Sequence, residues 1–298
     1  MKSLIVGMGI GNLYKEVLTN LGHEIVTVDL DPSKAMYTTV EDAIAEHEYF
    51  DTVHICTPNF THEPIARAVA PFAKIVFVEK PGFKDSAAWL QITKDFPYTR
   101  FMMVKNNQWR DNIEELRNLA TKSYLVELKW NNKNRVPNPG TWFTTKELAF
   151  GGVSRDLMTH LLSLFQALNV SYANATLEEA EAEQEFTLAE VSDTDYGIVN
   201  PNGTYDVDDF CNFGFTEPVK DHYREWQLNA CWRNETEDDR GINFHIDGEP
   251  TVRFELGLCP AEAYQAMIAD AVKNIDNDAW WQLQLQYDLW IHAKVETL

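Results

Sequence analysis

The first hundred residues alternate short apolar runs with segments in which apolar residues recur every three or four positions. Five runs are typical of buried strands, at residues 4–6, 24–30, 51–56, 74–78 and 100–104. The intervening segments predict helices at residues 12–21, 42–47, 62–72 and 86–96. This alternation predicts an α/β domain, built on a doubly wound parallel sheet, over residues 1–105.

The pattern changes after residue 105. Strict alternation over 124–130 is typical of a half-exposed strand, and 225–232 and 251–256 predict further strands. Helical spacing covers residues 151–168, 261–274 and 280–295. We therefore predict a second, α+β domain over residues 106–298, with a large open sheet that is mostly antiparallel or mixed. The acidic segment 177–190 is expected to be a solvated face or sheet edge, with an interaction patch as the alternative.

Composition narrows the classes of partner. The chain has 298 residues and a net charge of −21, which disfavours binding to nucleic acid or to anionic membranes. No apolar run reaches the roughly 18 residues of a membrane span, and the N-terminus lacks the features of a signal peptide, so a cytoplasmic location with reduced cysteines is expected. The eight histidines show no metal-ligand spacing, and no metal is expected.

A glycine-rich turn joins the first strand to the first helix. Its predicted cofactor-binding residues are Gly7, Gly9, Ile10, Gly11 and Asn12. Glycines at such a turn let a pyrophosphate approach bare backbone N–H groups at a helix N-terminus, so a dinucleotide-binding Rossmann domain is predicted. The third glycine of the usual motif would fall at position 12, which is Asn12, while Gly11 stands one place earlier.

The end of the second strand indicates which dinucleotide is bound. Asp29 follows Gly9 by 20 residues, the spacing at which a carboxylate reaches the ribose 2′-hydroxyl of NAD. Asp31 adds a second negative charge, and no basic residue stands beside Asp29 to receive a 2′-phosphate. NAD is therefore predicted rather than NADP. The alternative is that Asp29 and Asp31 only form a turn at an Asp-Pro pair.

Three further motifs extend the pattern: Thr57-Pro58-Asn59-Phe60-Thr61-His62 after the third strand, Glu79-Lys80-Pro81 after the fourth, and Gly151-Gly152-x-x-x-Asp156-x-x-x-His160 at the start of the long second-half helix. Together with the glycine turn and Asp29, they resemble the Gfo/Idh/MocA oxidoreductase family in order and spacing over roughly the first 165 residues. That family has a Rossmann domain followed by an α/β domain whose open sheet commonly packs against another subunit. The resemblance therefore implies a homodimer or homotetramer that associates through the second-domain sheet.

The resemblance also implies catalytic roles. A hydroxyl group must lose its proton when a hydride leaves its carbon, and His160 is the expected general base and acid. Asp156 precedes it by four residues, so both side chains lie on one helix face, where Asp156 fixes the imidazole or binds substrate. Lys80 is expected to hold the reacting oxygen and to contact the cofactor. The Lys80–Pro81 peptide bond is expected to be cis.

Other residues are assigned by the same resemblance. Thr57, Pro58, Asn59, His62 and Glu79 are expected at the nicotinamide end of the cofactor. Asn106 and Trp142 join Lys80, Asp156 and His160 as expected substrate-binding residues. Trp142 has the equal alternative of a core aromatic, and Arg155 either binds a substrate anion or pairs with a surface acid.

The sequence thus predicts an NAD-dependent oxidoreductase that interconverts a hydroxyl and a carbonyl on a sugar, a polyol or a related small molecule. Two alternatives remain open. One is a dinucleotide-binding sensor without catalysis, against which the joint presence of Lys80, Asp156 and His160 argues. The other is a reductase of a C=C or C=N bond on the same scaffold.

Overall fold

The chain divides into two compact units. The computed structural model describes residues 1–219, 222–234 and 236–298. The first unit comprises Met1–Arg110 and Pro260–Ala293, and the second comprises Asp111–Cys259 and Lys294–Leu298.

The first unit contains a five-stranded parallel sheet. Its strands are β1 (Lys2–Val6), β2 (Glu24–Val28), β3 (Phe50–Ile55), β4 (Ala73–Val78) and β5 (Arg100–Met103). Its first four helices are α1 (Gly11–Asn20), α2 (Val40–His47), α3 (His62–Val69) and α4 (Ser86–Asp95). The strand order β2-β1-β3-β4-β5 places the topological switch point between β1 and β3. The predicted doubly wound parallel sheet is confirmed, and ligands of such sheets bind beyond the carboxyl ends of the strands at this switch point.

The second unit contains a six-stranded mixed sheet. Its strands are β6 (Leu125–Asn131), β7 (Thr176–Glu183), β8 (Phe210–Val219), β9 (His222–Cys231), β10 (Asp239–His245) and β11 (Val252–Glu255), in the order β11-β10-β6-β9-β8-β7. Strands β6 and β9 pair in parallel, and the other neighbouring strands pair antiparallel. The remaining helices of the chain are α5 (Ile113–Lys122), α6 (Lys146–Ala149), α7 (Val153–Leu168), α8 (Ala261–Lys273) and α9 (Asp278–Val295). The predicted mixed sheet is confirmed.

The extent of the units differs from the predicted domains 1–105 and 106–298. Residues 260–293 belong to the first unit, and its leading segment continues to Arg110. The cause is packing: the Tyr264 ring of α8 meets the Tyr14 ring of α1 edge-on at 5.4 Å, and Asp288 of α9 forms an ion pair with Lys105. Helical periodicity predicts such helices without revealing the surface that they cover.

The acidic segment 177–190 begins on an edge strand, as expected. Strand β7 pairs with β8 alone among the described strands, and Glu178, Glu179, Glu181 and Glu183 are exposed along it. Charged side chains on an edge strand hinder pairing with another chain. Among the residues that the structure describes, no helix is long and apolar enough to cross a membrane.

Candidate active site

The glycine turn follows β1 at the switch point. Gly7 has a φ of +92°, and a Cβ there would lie 2.7 Å from the Cys56 carbonyl oxygen, so only glycine fits. A Cβ at Gly9 would meet nothing within 4 Å, and both Gly9 and Ile10 are exposed. The turn therefore leaves open space beside bare backbone before the first residue of α1, as pyrophosphate binding requires.

The departure from the usual glycine motif is accommodated within the turn. Gly11 begins α1, and a Cβ there would lie 2.9 Å from Ile5 of β1, so Gly11 allows the close helix–strand packing that the third glycine of the motif normally provides. The Asn12 amide donates back to the Met8 carbonyl. Asn12 thus stabilises the turn.

Asp29 is anchored to this turn. Its Oδ2 accepts a hydrogen bond from the Met8 N–H at 2.7 Å, and its Oδ1 accepts one from the Asp31 N–H at 2.9 Å. The second bond belongs to the turn that was the alternative interpretation of Asp29, and the first bond ties the carboxylate to the glycine turn. Lys34, the nearby cation, lies 3.5 Å from Asp31. Asp29 remains half-buried at the carboxyl end of β2, next to β1.

Two further segments reach the same edge of the sheet. We call Thr57–Thr61, which follows β3 and is predicted to lie at the nicotinamide end of a cofactor, the nicotinamide loop. We call Glu79–Phe83, which follows β4, the lysine turn. The Thr61 hydroxyl donates to the Pro58 carbonyl at 2.6 Å and lies 2.7 Å from the Thr57 hydroxyl oxygen, which fixes the loop around Pro58 and Asn59. Strands β3 and β4 are parallel neighbours, so the loop and the turn lie side by side.

The lysine turn places its two charged residues in different surroundings. The Glu79 carboxylate is buried and accepts a hydrogen bond from the Tyr14 hydroxyl at 2.5 Å. Burial, reinforced by Glu79, raises the pKa of Tyr14 well above its usual value, so Tyr14 stays a donor. Lys80 is half-buried, and the Lys80–Pro81 peptide bond is cis, as the family resemblance implied.

His62 differs from its expected role as a cofactor contact. Its side chain is 0 % exposed, its Nδ1 lies 2.8 Å from the Gly82 carbonyl oxygen, and its Nε2 lies 2.8 Å from the Thr57 carbonyl oxygen. Both ring nitrogens are engaged by backbone, so neither is left for a ligand. His62 joins the nicotinamide loop to the lysine turn.

In the second unit, helix α7 carries the other predicted catalytic groups. Its N-terminus packs tightly against Asp208: a Cβ at Gly152 would lie 1.8 Å from the Asp208 carbonyl oxygen. The Asp208 carboxylate accepts hydrogen bonds from the Gly152 and Ser154 N–H groups at 2.8 and 2.6 Å. Asp208 therefore caps the helix, and the Gly-Gly pair makes room for it.

Fourteen of the sixteen residues of α7 are buried, and the two that are not are Asp156 and His160. Asp156 Oδ2 accepts a hydrogen bond from the Trp232 indole N–H at 2.9 Å. The His160 ring stacks on Trp130, with centroids 5.5 Å apart and planes at 23°. Trp130 and Trp232 come from the carboxyl ends of β6 and β9, the parallel pair of this sheet. Two buried indoles thus support the carboxylate and the imidazole.

Three other predicted residues have distinct surroundings. Asn106 is buried, and its amide Nδ2 has no hydrogen-bond partner within the described part of the chain. An unsatisfied buried donor is unfavourable by about 1–3 kcal/mol, which marks Asn106 as a candidate ligand contact. Trp142 is half-buried, with its ring 4.3 Å from that of Phe143, and is not a core aromatic. Arg155 is buried.

The structure groups the predicted residues by unit. The first unit gathers the glycine turn, Asp29, the nicotinamide loop and the lysine turn at one sheet edge, and the second unit gathers Asp156 and His160. Sequence reasoning missed Asp208, Trp232 and Trp130, which act through these residues from distant positions and carry no local motif. Within the described ranges, no group of three or more His, Cys, Asp or Glu side chains is placed to hold a metal ion.

Comparison with known sequences gives a partial match. No family model matches the chain. A protein of Amycolatopsis mediterranei, assigned by its name to the oxidoreductase subunit of UDP-kanosamine synthase, is 28% identical over 151 residues. The match covers 46% of this chain and 42% of that protein, so it spans less than half the length of the curated relative.

Comparison with solved structures covers nearly the whole chain. GenD2 from gentamicin A biosynthesis, in complex with NAD, matches 99% of this chain and 92% of its own with a TM-score of 0.74 and 18% identity. Levoglucosan dehydrogenase with NADH and levoglucosan matches 99% and 96% with a TM-score of 0.72 and 15% identity. The WlbA dehydrogenase of Bordetella pertussis with NADH and UDP-GlcNAcA matches 96% and 92% with a TM-score of 0.70 and 16% identity. The chain therefore has the fold of the Gfo/Idh/MocA-type dehydrogenases.

Proposed function

We propose that the protein is an NAD-dependent oxidoreductase that interconverts a hydroxyl and a carbonyl on a sugar, a polyol or a related small molecule. The observation that carries this proposal is the surface of α7, which buries every residue except a carboxylate and an imidazole one turn apart. A sensor that only binds a dinucleotide has no need of Asp156 and His160. Their partial exposure on an otherwise buried helix supports catalysis over sensing.

The first unit fits a dinucleotide. The open space at Gly9 and the backbone N–H groups at the start of α1 suit a pyrophosphate, and Asp29 at the adjacent strand end suits a ribose hydroxyl. Exposed apolar side chains flank this region, with Leu30 92% and Ile10 44% exposed, and they suit an adenine ring. When bound, the nicotinamide of NAD accepts or donates the hydride.

The remaining groups are proposed to handle the proton and the developing charge. We assign His160 the removal of the substrate hydroxyl proton in oxidation and its return in reduction. Asp156, held by Trp232, orients His160 or the substrate. Lys80 provides a cation that stabilises the oxygen atom while it is partly anionic.

The choice of a sugar or polyol rests on the comparisons. Similar structures were solved with levoglucosan and with UDP-GlcNAcA, and the partial sequence relative has a name that refers to a UDP-sugar. We also propose a cytoplasmic homodimer or homotetramer that associates through the second-unit sheet, by analogy with the family architecture. Light scattering of the purified protein tests this association, and a monomer at micromolar concentration contradicts it.

The decisive experiment is a substrate panel. Sugars, polyols, sugar nucleotides and their oxidised forms are supplied with NAD or NADH, and absorbance at 340 nm is followed. Lys80→Ala and His160→Ala are expected to reduce kcat by at least about 100-fold while NADH binding persists. Lys84→Ala, at an exposed lysine four residues from Lys80, and His245→Ala on β10 serve as matched controls.

Three results would contradict the proposal. Full activity in either variant removes that residue from the mechanism. Binding of NADH without turnover of any compound in the panel favours the sensor. A clear preference for NADPH overturns the role of Asp29.

A further inference from the structure

We propose that His62 is a positioning residue that holds the nicotinamide loop and the lysine turn at a fixed separation. The proposal rests on the proposed function, because it assigns meaning to two segments that are predicted to hold the cofactor and Lys80. It differs from the expected direct contact with the cofactor. It predicts that the two backbone contacts of one side chain, one at Nδ1 and one at Nε2, control two separate kinetic quantities.

The geometry is that of a clamp between adjacent strand ends. His62 is the first residue of α3 and follows the nicotinamide loop directly. Its Nε2 reaches back to the Thr57 carbonyl of that loop, and its Nδ1 reaches across to the Gly82 carbonyl of the lysine turn, each at 2.8 Å. Because the side chain is fully buried, water does not compete for either bond.

Both ring nitrogens of His62 face carbonyl oxygens, which can only accept hydrogen bonds. A neutral ring has one N–H and donates to one carbonyl, whereas an imidazolium donates to both. Burial lowers the pKa of His62, while the carbonyl oxygens of Gly82 and Thr57 oppose that shift. The carbonyl oxygens of Gly82 and Thr57 therefore compete for the N–H of one ring. A substitution can remove either contact and leave the other in place.

A second histidine holds the lysine turn from its other side. His292 Nε2 accepts a hydrogen bond from the Phe83 N–H at 3.3 Å, and its Nδ1 lies 2.8 Å from the Asp288 carbonyl oxygen. A neutral ring satisfies this donor–acceptor pair. Gly82 has a φ of +79°, and a Cβ there would lie 2.8 Å from the His292 ring. The lysine turn therefore contacts the imidazole rings of both His62 and His292. Loss of the His62 contact leaves the turn held by His292.

Two amide substitutions separate the bonds. The Asn amide ends near the position of Nδ1, so His62→Asn keeps a donor for Gly82 and releases Thr57. The longer Gln amide ends near Nε2, so His62→Gln keeps Thr57 and releases Gly82. His62→Leu removes both bonds. His54→Gln is the matched control, because His54 is equally buried in β3 and bonds Thr52 rather than either segment.

The variants are compared by the Kd of NADH and by kcat. His62→Asn is expected to raise the Kd about tenfold and leave kcat within about twofold. His62→Gln is expected to lower kcat about tenfold and leave the Kd within about twofold. His62→Leu shows both effects, and His54→Gln shows neither. Equal changes of Kd and kcat in the Asn and Gln variants, or native behaviour of His62→Leu, would overturn the proposal.

Hydrogen exchange measured by mass spectrometry gives a readout that needs no cofactor. His62→Asn is expected to speed exchange in residues 57–61 alone, and His62→Gln in residues 80–83 alone. Uniform acceleration across the first unit indicates a merely structural role and contradicts the clamp. If the native protein binds no NADH, the proposed function fails, and the exchange pattern still decides whether His62 joins the two segments.

Discussion

At the scale of single residues, an indole holds the carboxylate of Asp156. Trp232 is buried and donates its N–H to Asp156 Oδ2 at 2.9 Å. Hydrogen bonds to charged groups contribute about 1.5–3 kcal/mol. We expect Trp232→Phe, which keeps the ring and removes the donor, to lower kcat by about 10- to 100-fold.

The measurement is a comparison of kcat with the Kd of NADH, which should stay within about twofold of the native value because Trp232 lies in the second unit. Trp226→Phe, at a buried tryptophan of the same sheet, controls for loss of an indole. A Trp232→Phe protein with native kcat would show that Asp156 needs no such support.

A second residue-scale prediction concerns pH and stability. Burial lowers the pKa of His54 to about 3, whereas the unfolded side chain titrates near 6.5. Between these values the unfolded chain binds a proton that the folded protein excludes. The free energy of unfolding therefore falls as pH drops below about 6.5, by up to about 1.4 kcal/mol per pH unit from this residue.

Urea denaturation at several pH values between 5 and 7.5 measures this slope. The native protein should lose more stability than His54→Gln over this range, by up to about 2 kcal/mol. Parallel slopes for the two proteins would show that His54 does not titrate in this way.

The residues that sequence reasoning found share a local cause. The glycine turn and Asp29 are set by short-range geometry at strand ends, so their spacing is legible in one stretch of chain. The position of His62 in its motif can be read from the sequence. Its contacts with Thr57 and Gly82 cannot, because they depend on the pairing of β3 with β4. Trp232 follows Asp156 by 76 positions, and no spacing rule connects them.

At the scale of elements, α9 is held to the first sheet by a buried ion pair. Asp288 and Lys105 are both 0% exposed, and Asp288 also accepts the Met103 N–H at 3.0 Å. Removal of one partner leaves a buried charge unpaired. We expect Asp288→Asn to lower the free energy of unfolding by about 3–5 kcal/mol.

Urea denaturation tests this, with Asp278→Asn as the control. Asp278 lies on the same helix and pairs with Arg100 while 81% exposed, so its loss should be worth less than about 1 kcal/mol. The double change Lys105→Met with Asp288→Leu should recover much of the lost stability. Equal effects of the two single changes would mean that burial of the pair is unimportant.

The elements also differ in how well the sequence predicts them. Buried parallel strands are continuous apolar runs, and β1 to β5 were all predicted within two residues of their observed ends. Strands β8 and β10 were missed. In β8, Asn212, Gly214 and Thr216 alternate with the buried residues Cys211, Phe213 and Phe215, as in a half-exposed strand, and β10 carries polar residues on its outward face. Such strands are defined by their neighbours in the sheet more than by their own composition.

At the scale of the whole molecule, the first unit is built from two separate parts of the chain. A chain that ends at Arg110 lacks α8 and α9, so Lys105 loses Asp288 and Tyr14 loses the ring of Tyr264. We expect this fragment to be unfolded or to bind NADH much more weakly than the full protein.

Joining residues 260–293 to this fragment through a flexible linker should restore cooperative unfolding. Circular dichroism during denaturation measures this cooperativity. If the first domain ended at residue 105, as the sequence predicts, the fragment that ends at Arg110 would fold and bind NADH without residues 260–293. A stable fragment 1–110 that binds NADH as the full chain does would contradict the observed division.

Two domains were predictable because the change from parallel to antiparallel patterns is visible along the chain. The packing of residues 260–293 against the first unit was not predictable. Residues 261–295 show helical periodicity, and that pattern does not indicate which unit a helix packs against. Tertiary contacts, such as those of Tyr264, Asp288 and His292, assign these helices to the first unit.

This split assembly has a consequence for biosynthesis. Residues 1–110 emerge from the ribosome before residues 260–293. The sheet that they form therefore lacks α8 and α9 until residues 260–293 emerge. At about 5–20 residues per second, the intervening 111–259 segment takes on the order of ten seconds or more to translate. Residues 1–110 thus become a complete unit only after residues 260–293 have been translated, and we expect nascent-chain chaperones to bind them meanwhile.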